Sequence, residues 1–193
     1  MQLDTHGFSL TDRFIDNTIL DQLRVEALEE YEEGRFKPAA IGRGLVKNQI
    51  EEIRGDRVKW LDTKVATKAQ TTYWEVMDEL RVYLSNYFRI HLERTEVHFA
   101  VYPKGAFYAK HLDQFQGASN RIFSVILYLN DQWVEGHGGE LRVYNSNGLF
   151  TDYAPLMGRL VIFRSDAVEH EVLVANQARI SLTGWMRRDP LLV

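Results

Sequence analysis

The segment Tyr102–Asp113, which reads YPKGAFYAKHLD, ends in a histidine and an aspartate that are two positions apart. On an extended strand, side chains two positions apart point to the same side. The imidazole of His111 and the carboxylate of Asp113 therefore converge on one point. Both groups are common ligands of divalent transition metals, so the segment predicts a strand whose end carries part of a metal site.

Two residues nearer the C-terminus could complete this site. His170, in VEHEV, is the candidate third ligand, and Arg179, in ARISLTGW, follows it. Two histidines and one carboxylate on one face of a metal leave open positions for substrate and O₂, as in the non-haem Fe(II) oxygenases. The planar guanidinium of Arg179 suits a dicarboxylate co-substrate, because it is always charged and binds a carboxylate bidentately.

The composition limits the classes of protein to which the chain could belong. With 193 residues, 45% of them hydrophobic, we expect one domain with one core. The net charge of −4 argues against nucleic acid as the main partner. The absence of cysteine excludes disulfides and thiolate metal sites. We find no signal-peptide pattern and no apolar run long enough to span a membrane, so we expect a cytoplasmic protein without a membrane partner.

The N-terminal half of the chain predicts two helices and one hairpin. Asp16 or Asn17 could cap a first helix that runs to about Glu33, and the apolar spacing predicts a second helix over Gln70–His91. Between them, residues 48–63 contain IRGDRVKW, in which Gly55-Asp56 is expected to form the turn of a finger-like hairpin.

The C-terminal half predicts short strands between turn signals. About eight such strands indicate a jelly roll, or double-stranded β-helix, in a mainly β (α+β) protein whose N-terminal helices buttress one sheet. We divide the single domain 1–193 into residues 1–94, with the helices and the finger loop 48–63, and the jelly-roll core 95–187. The predicted strands are Glu96–Tyr102, Phe107–His111, Arg121–Asn130, Glu140–Tyr144, Phe150–Ala154, Leu160–Arg164, Glu169–Val174 and Arg179–Met186.

The last two predicted strands can be aligned as a hairpin. With a four-residue loop at 175–178, Val172 would face Ser181 and His170 would face Thr183 across one ladder. Arg179 would then lie about 13 Å along the strand from the position opposite His170. The inward face would carry His170, Val172, Arg179, Ser181, Thr183 and Trp185.

The ordered set of motifs resembles the Fe(II)- and 2-oxoglutarate-dependent dioxygenases, and most closely the prolyl hydroxylases of the hypoxia-inducible-factor type and their bacterial homologues. A lone H-x-D pair is weak evidence, whereas the full ordered set is specific. The motifs are IRGD at 53–56, YP at 102–103, YAKHLD at 108–113, ILYLN at 126–130, GGELRVY at 138–144, HEV at 170–172 and the arginine of ARISLTGW.

The resemblance implies a role for each matching residue. His111, Asp113 and His170 would hold Fe(II), and Arg179 would bind the distal carboxylate of 2-oxoglutarate, helped by the Tyr128 hydroxyl. Other residues would line the co-substrate pocket: Tyr102, Thr183, Ile126, Leu141 and Val172. Arg121 and Trp185 would lie where a protein substrate enters. The IRGDRVKW loop would close over it, with Arg54 and Asp56 forming a latch or contacting the target.

The resemblance also implies a reaction. A prolyl residue of a protein would be hydroxylated while 2-oxoglutarate and O₂ yield succinate and CO₂, with ascorbate (vitamin C) as reductant and a translation factor as a possible substrate. The alternatives are an oxygenase acting on another side chain, a free amino acid or a small metabolite, and a non-catalytic metal-binding jelly roll. His98 departs from the family pattern, because a hydrophobic residue is expected at its pocket-lining position.

Overall fold

The structure is a computed structural model that describes residues 2–39, 53–114 and 120–188. Within these residues, three α-helices and a short 3₁₀ helix accompany eleven strands. The helices are α1 (Gln2–His6), α2 (Asn17–Glu32) and α3 (Lys68–Phe88), with the 3₁₀ helix at Thr63–Val65. The strands are β1 (Phe8–Thr11), β2 (Lys37–Pro38), β3 (Arg57–Trp60), β4 (Arg94–Tyr102), β5 (Tyr108–His111), β6 (Arg121–Tyr128), β7 (Leu141–Tyr144), β8 (Phe150–Tyr153), β9 (Leu160–Arg164), β10 (His170–Val172) and β11 (Arg179–Arg187).

The strands form two antiparallel sheets that face each other. The major sheet has seven strands in the order β1-β9-β6-β11-β4-β3-β2, and the minor sheet has four in the order β5-β10-β7-β8. The chain crosses repeatedly from one sheet to the other, as it does in a jelly roll. All eight predicted strands are present within a few residues of their expected ends, so the predicted fold class is confirmed.

The two long helices pack on the outer side of the major sheet. Asp16 caps α2 by accepting a hydrogen bond of 2.8 Å from the backbone N–H of Thr18, and Leu20 and Leu23 on its inner face are fully buried. The Thr67 hydroxyl caps α3 in the same way. One large hydrophobic cluster joins both helices to β4, β6 and β11. The helices thus support the outer side of the major sheet.

The predicted end of the second helix was wrong. We expected the helix to reach His91, but α3 ends at Phe88 because Arg89 adopts a left-handed conformation with a φ of 53°.

No helix among the described residues combines the length and the apolar character needed to cross a membrane.

The predicted finger hairpin was also wrong where the structure describes it. Gly55 and Asp56 do not form a turn between two paired strands. Instead, Arg54 bridges to Tyr108 of β5 in the minor sheet, and the chain then enters the major sheet as β3, which pairs with β4. The segment thus connects the two sheets, while residues 48–52 of the predicted finger lie outside the described residues.

The predicted ladder between the last two strands does not form. β10 pairs with β5 and β7 in the minor sheet, whereas β11 pairs with β4 and β6 in the major sheet. His170 therefore lies opposite His111 and not opposite Thr183. A short loop between consecutive strands favours a hairpin, but here it carries the chain across the core, so the two strands face each other as parts of opposing sheets.

Candidate metal centre and co-substrate pocket

A cavity of about 350 Å³ lies between the two sheets. It contains the candidate metal ligands and nearly every other residue that the sequence singled out. The predicted residues that line it are His111, Asp113, His170, Arg179, Tyr102, Thr183, Ile126, Leu141, Val172, Arg121, Trp185, Arg54 and Asp56. Tyr128 is the one predicted residue that is not part of its lining.

The register of the major sheet arranges one wall of the cavity in rows. Residues directly opposite on neighbouring strands share a face, so each row crosses several strands. Arg179 pairs with Tyr102 in the innermost row, where both side chains are buried. Two rows further along, Thr183 of β11 pairs with His98 of β4, which in turn pairs with Trp60 of β3. Trp60 is 52% exposed, which identifies this region as the mouth of the cavity.

The three candidate metal ligands converge from the opposite wall. His111 at the end of β5 and His170 at the start of β10 are direct partners in the minor sheet. Oδ1 of Asp113 lies 3.5 Å from Nε2 of His111, and its Oδ2 lies 3.9 Å from Nε2 of His170. All three ligand atoms lie within 4.8 Å of one another. Atoms that bind one ion at ~2.1 Å are separated by roughly 3–4 Å, so the spacing fits a single metal.

Backbone hydrogen bonds orient both imidazole rings. Nδ1 of His111 lies 2.7 Å from the carbonyl oxygen of Ala109, and Nδ1 of His170 lies 3.0 Å from that of Val168. Because a carbonyl only accepts, the ring proton of each neutral histidine is held at Nδ1. Nε2 then carries the lone pair that a metal needs, and it points toward Asp113.

Electrostatics keep two of the candidate ligands, His170 and Asp113, in the protonation states that a metal requires. Burial lowers the pKa of His170 to about 4, against the opposing effect of Asp113, so the ring is neutral. Burial alone would raise the pKa of Asp113, but His170, His111 and a 2.6 Å hydrogen bond from the Ser124 hydroxyl hold it well below its usual range. Neutral imidazoles and an ionised carboxylate are the forms that bind metal ions.

Arg179 is a buried cation whose charge is not neutralised by a protein carboxylate. Its side chain lies between the rings of Tyr102 and Tyr128, with Cζ 4.7 Å and 4.9 Å from their centroids. Nε donates to the carbonyl oxygen of Gly139 at 3.0 Å, and Nη1 approaches Ser181 at 3.4 Å. Within the described chain it forms no ion pair. Burying an unpaired charge is costly, so this guanidinium fits an anionic ligand that enters the cavity.

Tyr128 lies just behind the cavity wall. It belongs to the hydrophobic cluster between the sheets, together with Ile126 and Leu141, and it is completely buried. Its hydroxyl forms no hydrogen bond of normal geometry with the described residues. Burial raises its pKa, and the neighbouring Arg179 offsets this rise only in part. The hydroxyl is thus a neutral polar atom next to the guanidinium.

Aromatic rings and an arginine surround the mouth of the cavity. The Cζ atom of Arg121 lies 3.5 Å above the ring of Trp185, and the Arg121 guanidinium is held by Glu96 at 3.3 Å. The rings of Trp60 and His98 also lie beside Trp185. The sequence singled out Arg121 and Trp185 for this position, and the structure brings them together.

Arg54 and Asp56 form a bidentate ion pair on the cavity wall. Nε and Nη2 of Arg54 each lie 2.6 Å from one oxygen of Asp56, and the guanidinium lies 4.0 Å from the ring centroid of Tyr108. Burial disfavours the charged form of Arg54, but the bonds to Asp56 outweigh this effect and raise its pKa. The pair connects the β3 segment to β5 beside the metal ligands.

Sequence reasoning missed two aromatic residues of the lining, Trp60 and Tyr108. Trp60 sits in RVKW, where alternation with Val58 places both side chains on one face of a strand. Tyr108 stacks on His111 with centroids 3.6 Å apart, and both residues belong to β5. Both lay in motifs that the sequence analysis quoted without assigning these side chains.

Comparisons with known proteins agree with this geometry. The model of the 2OG-Fe(II) oxygenase superfamily matches residues 97–187. The crystal structure of a prolyl-4-hydroxylase from Pseudomonas putida is 40% identical, with a TM-score of 0.89 over 98% of this chain and 96% of that chain. A Trichoplax adhaerens prolyl hydroxylase, solved with a hypoxia inducible factor peptide fragment, is 25% identical, with a TM-score of 0.87 over 96% of this chain and 86% of that one.

A curated relative from the mouse also matches nearly the whole chain. Prolyl hydroxylase EGLN3 of Mus musculus is 27% identical over 188 residues, which is 93% of this chain and 77% of the relative. The donor set of the cavity, with two imidazoles, a carboxylate and a buried guanidinium, fits the Fe(II) and 2-oxoglutarate of the superfamily's name. The chain therefore belongs to the 2OG-Fe(II) oxygenase superfamily and, within it, to the branch that contains the prolyl hydroxylases.

Proposed function

We propose that this chain hydroxylates a prolyl residue of a protein substrate, with conversion of 2-oxoglutarate and O₂ to succinate and CO₂. One observation carries the proposal: His111, Asp113 and His170 share a cavity with Arg179, a buried cation without an ion-pair partner in the described chain. The choice of proline rests on the 40% identity to the Pseudomonas putida prolyl-4-hydroxylase across nearly the whole chain.

In this proposal each wall of the cavity has a separate task. His111, Asp113 and His170 hold Fe(II), which when bound supplies the oxidation of an unactivated C–H bond coupled to decarboxylation of 2-oxoglutarate. Arg179 binds the distal carboxylate of the co-substrate, with Tyr102 stacked beside it and the Tyr128 hydroxyl as a second donor. The apolar lining residues exclude water around the co-substrate: Ile126, Leu141 and Val172, with Thr183 as a polar neighbour.

The mouth of the cavity would receive the peptide. Trp185 and Arg121 form a stacked pair there, and a peptide can lie across such a surface through its apolar side chains and main-chain carbonyls. Arg54 and Asp56 form an ion pair within the segment that joins the two sheets, and this pair would fix the edge of the opening. Their role is then to position the wall that the target residue approaches.

We further propose ascorbate as the reductant that keeps the iron ferrous, and a translation factor in the cytoplasm as the class of substrate. The absence of cysteine and the acidic balance of the chain are compatible with that compartment. Addition of ascorbate to the purified enzyme should increase the number of turnovers, and capture of substrates from a cytoplasmic extract by a trapped inactive enzyme should enrich translation factors.

The experiment that tests the proposed reaction uses the iron-loaded protein and blocked peptides that contain a single proline. We expect succinate formation to rise with peptide, and mass spectrometry to place one added oxygen on the proline. Replacement of that proline by alanine is the matched control and should abolish both signals. Turnover of 2-oxoglutarate with oxygen placed on another residue, or on a free amino acid, would overturn the assignment to proline.

A further inference from the structure

His98 is a buried histidine in the wall of the cavity, and the proposed reaction gives it no role. It lies in β4 and is 3% exposed. Its ring lies beside two tryptophans, with centroids 4.8 Å from Trp60 and 5.4 Å from Trp185, and the three rings form a cluster. An apolar residue could fill the same space, and the resemblance to the family leads us to expect one there. The presence of a polar ring at this position therefore requires a reason other than packing.

Both ring nitrogens of His98 lack a hydrogen bond within the described chain. Nδ1 is fully enclosed and has no partner. Nε2 is not enclosed in this way, so it is the polar atom that His98 presents to the cavity. Burial lowers the pKa of His98 to about 3, so the ring is neutral and carries one proton. An enclosed N–H without an acceptor is rarer than an enclosed lone pair, which assigns the proton to Nε2.

The charged groups near His98 are already paired, which leaves the neutral N–H as the unused donor. Arg54 is bound to Asp56, and Arg121 is bound to Glu96. A donor that opens onto the cavity can be satisfied by an acceptor on a ligand that enters there. The neighbouring aromatic surfaces of Trp60 and Trp185 suit a flat peptide group, whose carbonyl oxygen is a neutral acceptor.

We propose that His98 is a specificity-determining residue, whose Nε2–H donates a hydrogen bond to a main-chain carbonyl oxygen of the substrate peptide. This inference rests on the proposed function, because it needs a peptide in the cavity mouth. Ser124, which binds the metal ligand Asp113, lies in β6, two strands from β4 in the major sheet. Two strand spacings are about 10 Å and an extended chain advances ~3.3 Å per residue, so the carbonyl belongs to a residue within about three positions of the target.

The first part of the test separates the hydrogen bond from the ring that carries it. The probe is the blocked single-proline peptide with the highest turnover by the wild type. His98→Phe keeps an aromatic ring beside the tryptophans but removes the donor, and we expect it to raise the KM for the peptide about tenfold. The kcat and the KM for 2-oxoglutarate should stay within about twofold of wild type. His98→Gln, which restores a donor near Nε2, should recover part of the loss.

His91→Phe is the matched control, because His91 is exposed and lies outside the cavity. It should behave as the wild type. A purely structural role for His98 predicts instead that kcat, peptide KM and thermal stability deteriorate together in His98→Phe and that His98→Gln is no better.

The second part identifies the acceptor by replacing single amides of the peptide with esters, which weakens the preceding carbonyl as an acceptor. One ester position should raise the KM of the wild type and leave the KM of His98→Phe unchanged. If every ester changes the peptide KM equally in both enzymes, the inference about His98 is wrong, while the proposed function is unaffected. Absence of proline hydroxylation by the wild type with any peptide would overturn the proposed function and the inference with it.

Discussion

At the scale of single residues, Arg179 depends on a glycine that lies against it. Gly139 accepts the hydrogen bond from Nε of Arg179, and a Cβ atom at this glycine would lie 3.1 Å from Cδ of the arginine. Gly139 also has a φ of +75°, which other residues rarely adopt. The backbone therefore holds the guanidinium within the cavity, and a side chain at this position would press against the arginine.

We predict that Gly139→Ala raises the KM for 2-oxoglutarate roughly tenfold, because the added methyl group displaces the guanidinium. Gly136→Ala is the matched control: Gly136 also has a positive φ, but no atom of the described chain lies within 4 Å of the position that a methyl group would occupy there. Both variants should lose stability from backbone strain, so thermal unfolding should change in both and the KM in only one. Equal KM values in the two variants would show that Gly139 does not position Arg179.

The residues of the metal site were accessible to sequence reasoning for a simple reason. Side chains two positions apart share a face of a strand, so His111 and Asp113 could be placed together without knowledge of the fold. His98 could be recognised only as a departure from the family pattern. Its unbonded nitrogens depend on Trp60 and Trp185, which come from two other strands, and no local pattern reports such contacts.

At the scale of elements, the segment before β3 is held by a buried ion pair. Arg54 and Asp56 make a bidentate contact in which the Asp56 side chain is fully buried. Arg142 and Asp152 make a contact of the same geometry between β7 and β8, with bonds of 2.7 Å and 2.8 Å, but both side chains remain partly exposed. The chain thus contains two similar pairs that differ in burial.

We predict that Asp56→Asn lowers the free energy of unfolding by about 3–5 kcal/mol, because it leaves the Arg54 charge buried without its partner. Asp152→Asn should cost at most about 1 kcal/mol, since water can solvate Arg142. Chemical denaturation of both variants measures the difference. Similar losses in the two variants would mean that burial of the first pair does not determine its contribution.

The positions of the strands could be predicted from alternation and turn residues, but their pairing could not. β10 and β11 are consecutive and joined by a short loop, which favours a hairpin, yet they lie in different sheets. The competing driving force is burial: Val172 of β10 packs against Tyr102, whereas Ile180 of β11 packs in the large cluster with the helices on the outer side of the major sheet. Similarly, β1 and β2 are short edge strands whose pairing depends on partners far along the chain.

At the scale of the whole molecule, two neutral histidines in the interior couple folding to pH. Burial lowers the pKa of His98 to about 3 and that of His170 to about 4, from a value of 6.5 in the unfolded chain. Below pH 6.5 the unfolded chain therefore binds protons that the folded chain does not. The contribution of these two neutral rings to the free energy of unfolding is fully present above pH 6.5 and is lost as the pH falls.

We predict that the metal-free protein becomes less stable as the pH falls from about 6.5 to about 5, a window above the ordinary titration of carboxylates. His98→Phe should reduce the proton uptake on unfolding by about one proton in this window. Denaturant unfolding at several pH values, with a chelator present, measures this uptake. If the free energy of unfolding changes with pH by the same slope in His98→Phe as in the wild type, His98 is not a neutral, buried histidine in the folded protein.

The most direct test of the proposed site is anaerobic binding of Fe(II) and 2-oxoglutarate, followed by visible absorption. Wild type should develop a metal-to-ligand charge-transfer band when both are present. The band should be lost in His111→Ala, which removes a metal ligand, and should need about 100-fold more 2-oxoglutarate in Arg179→Gln, which removes the buried cation. A folded wild type that binds iron without this band, or an Arg179→Gln variant with unchanged affinity, would contradict the account.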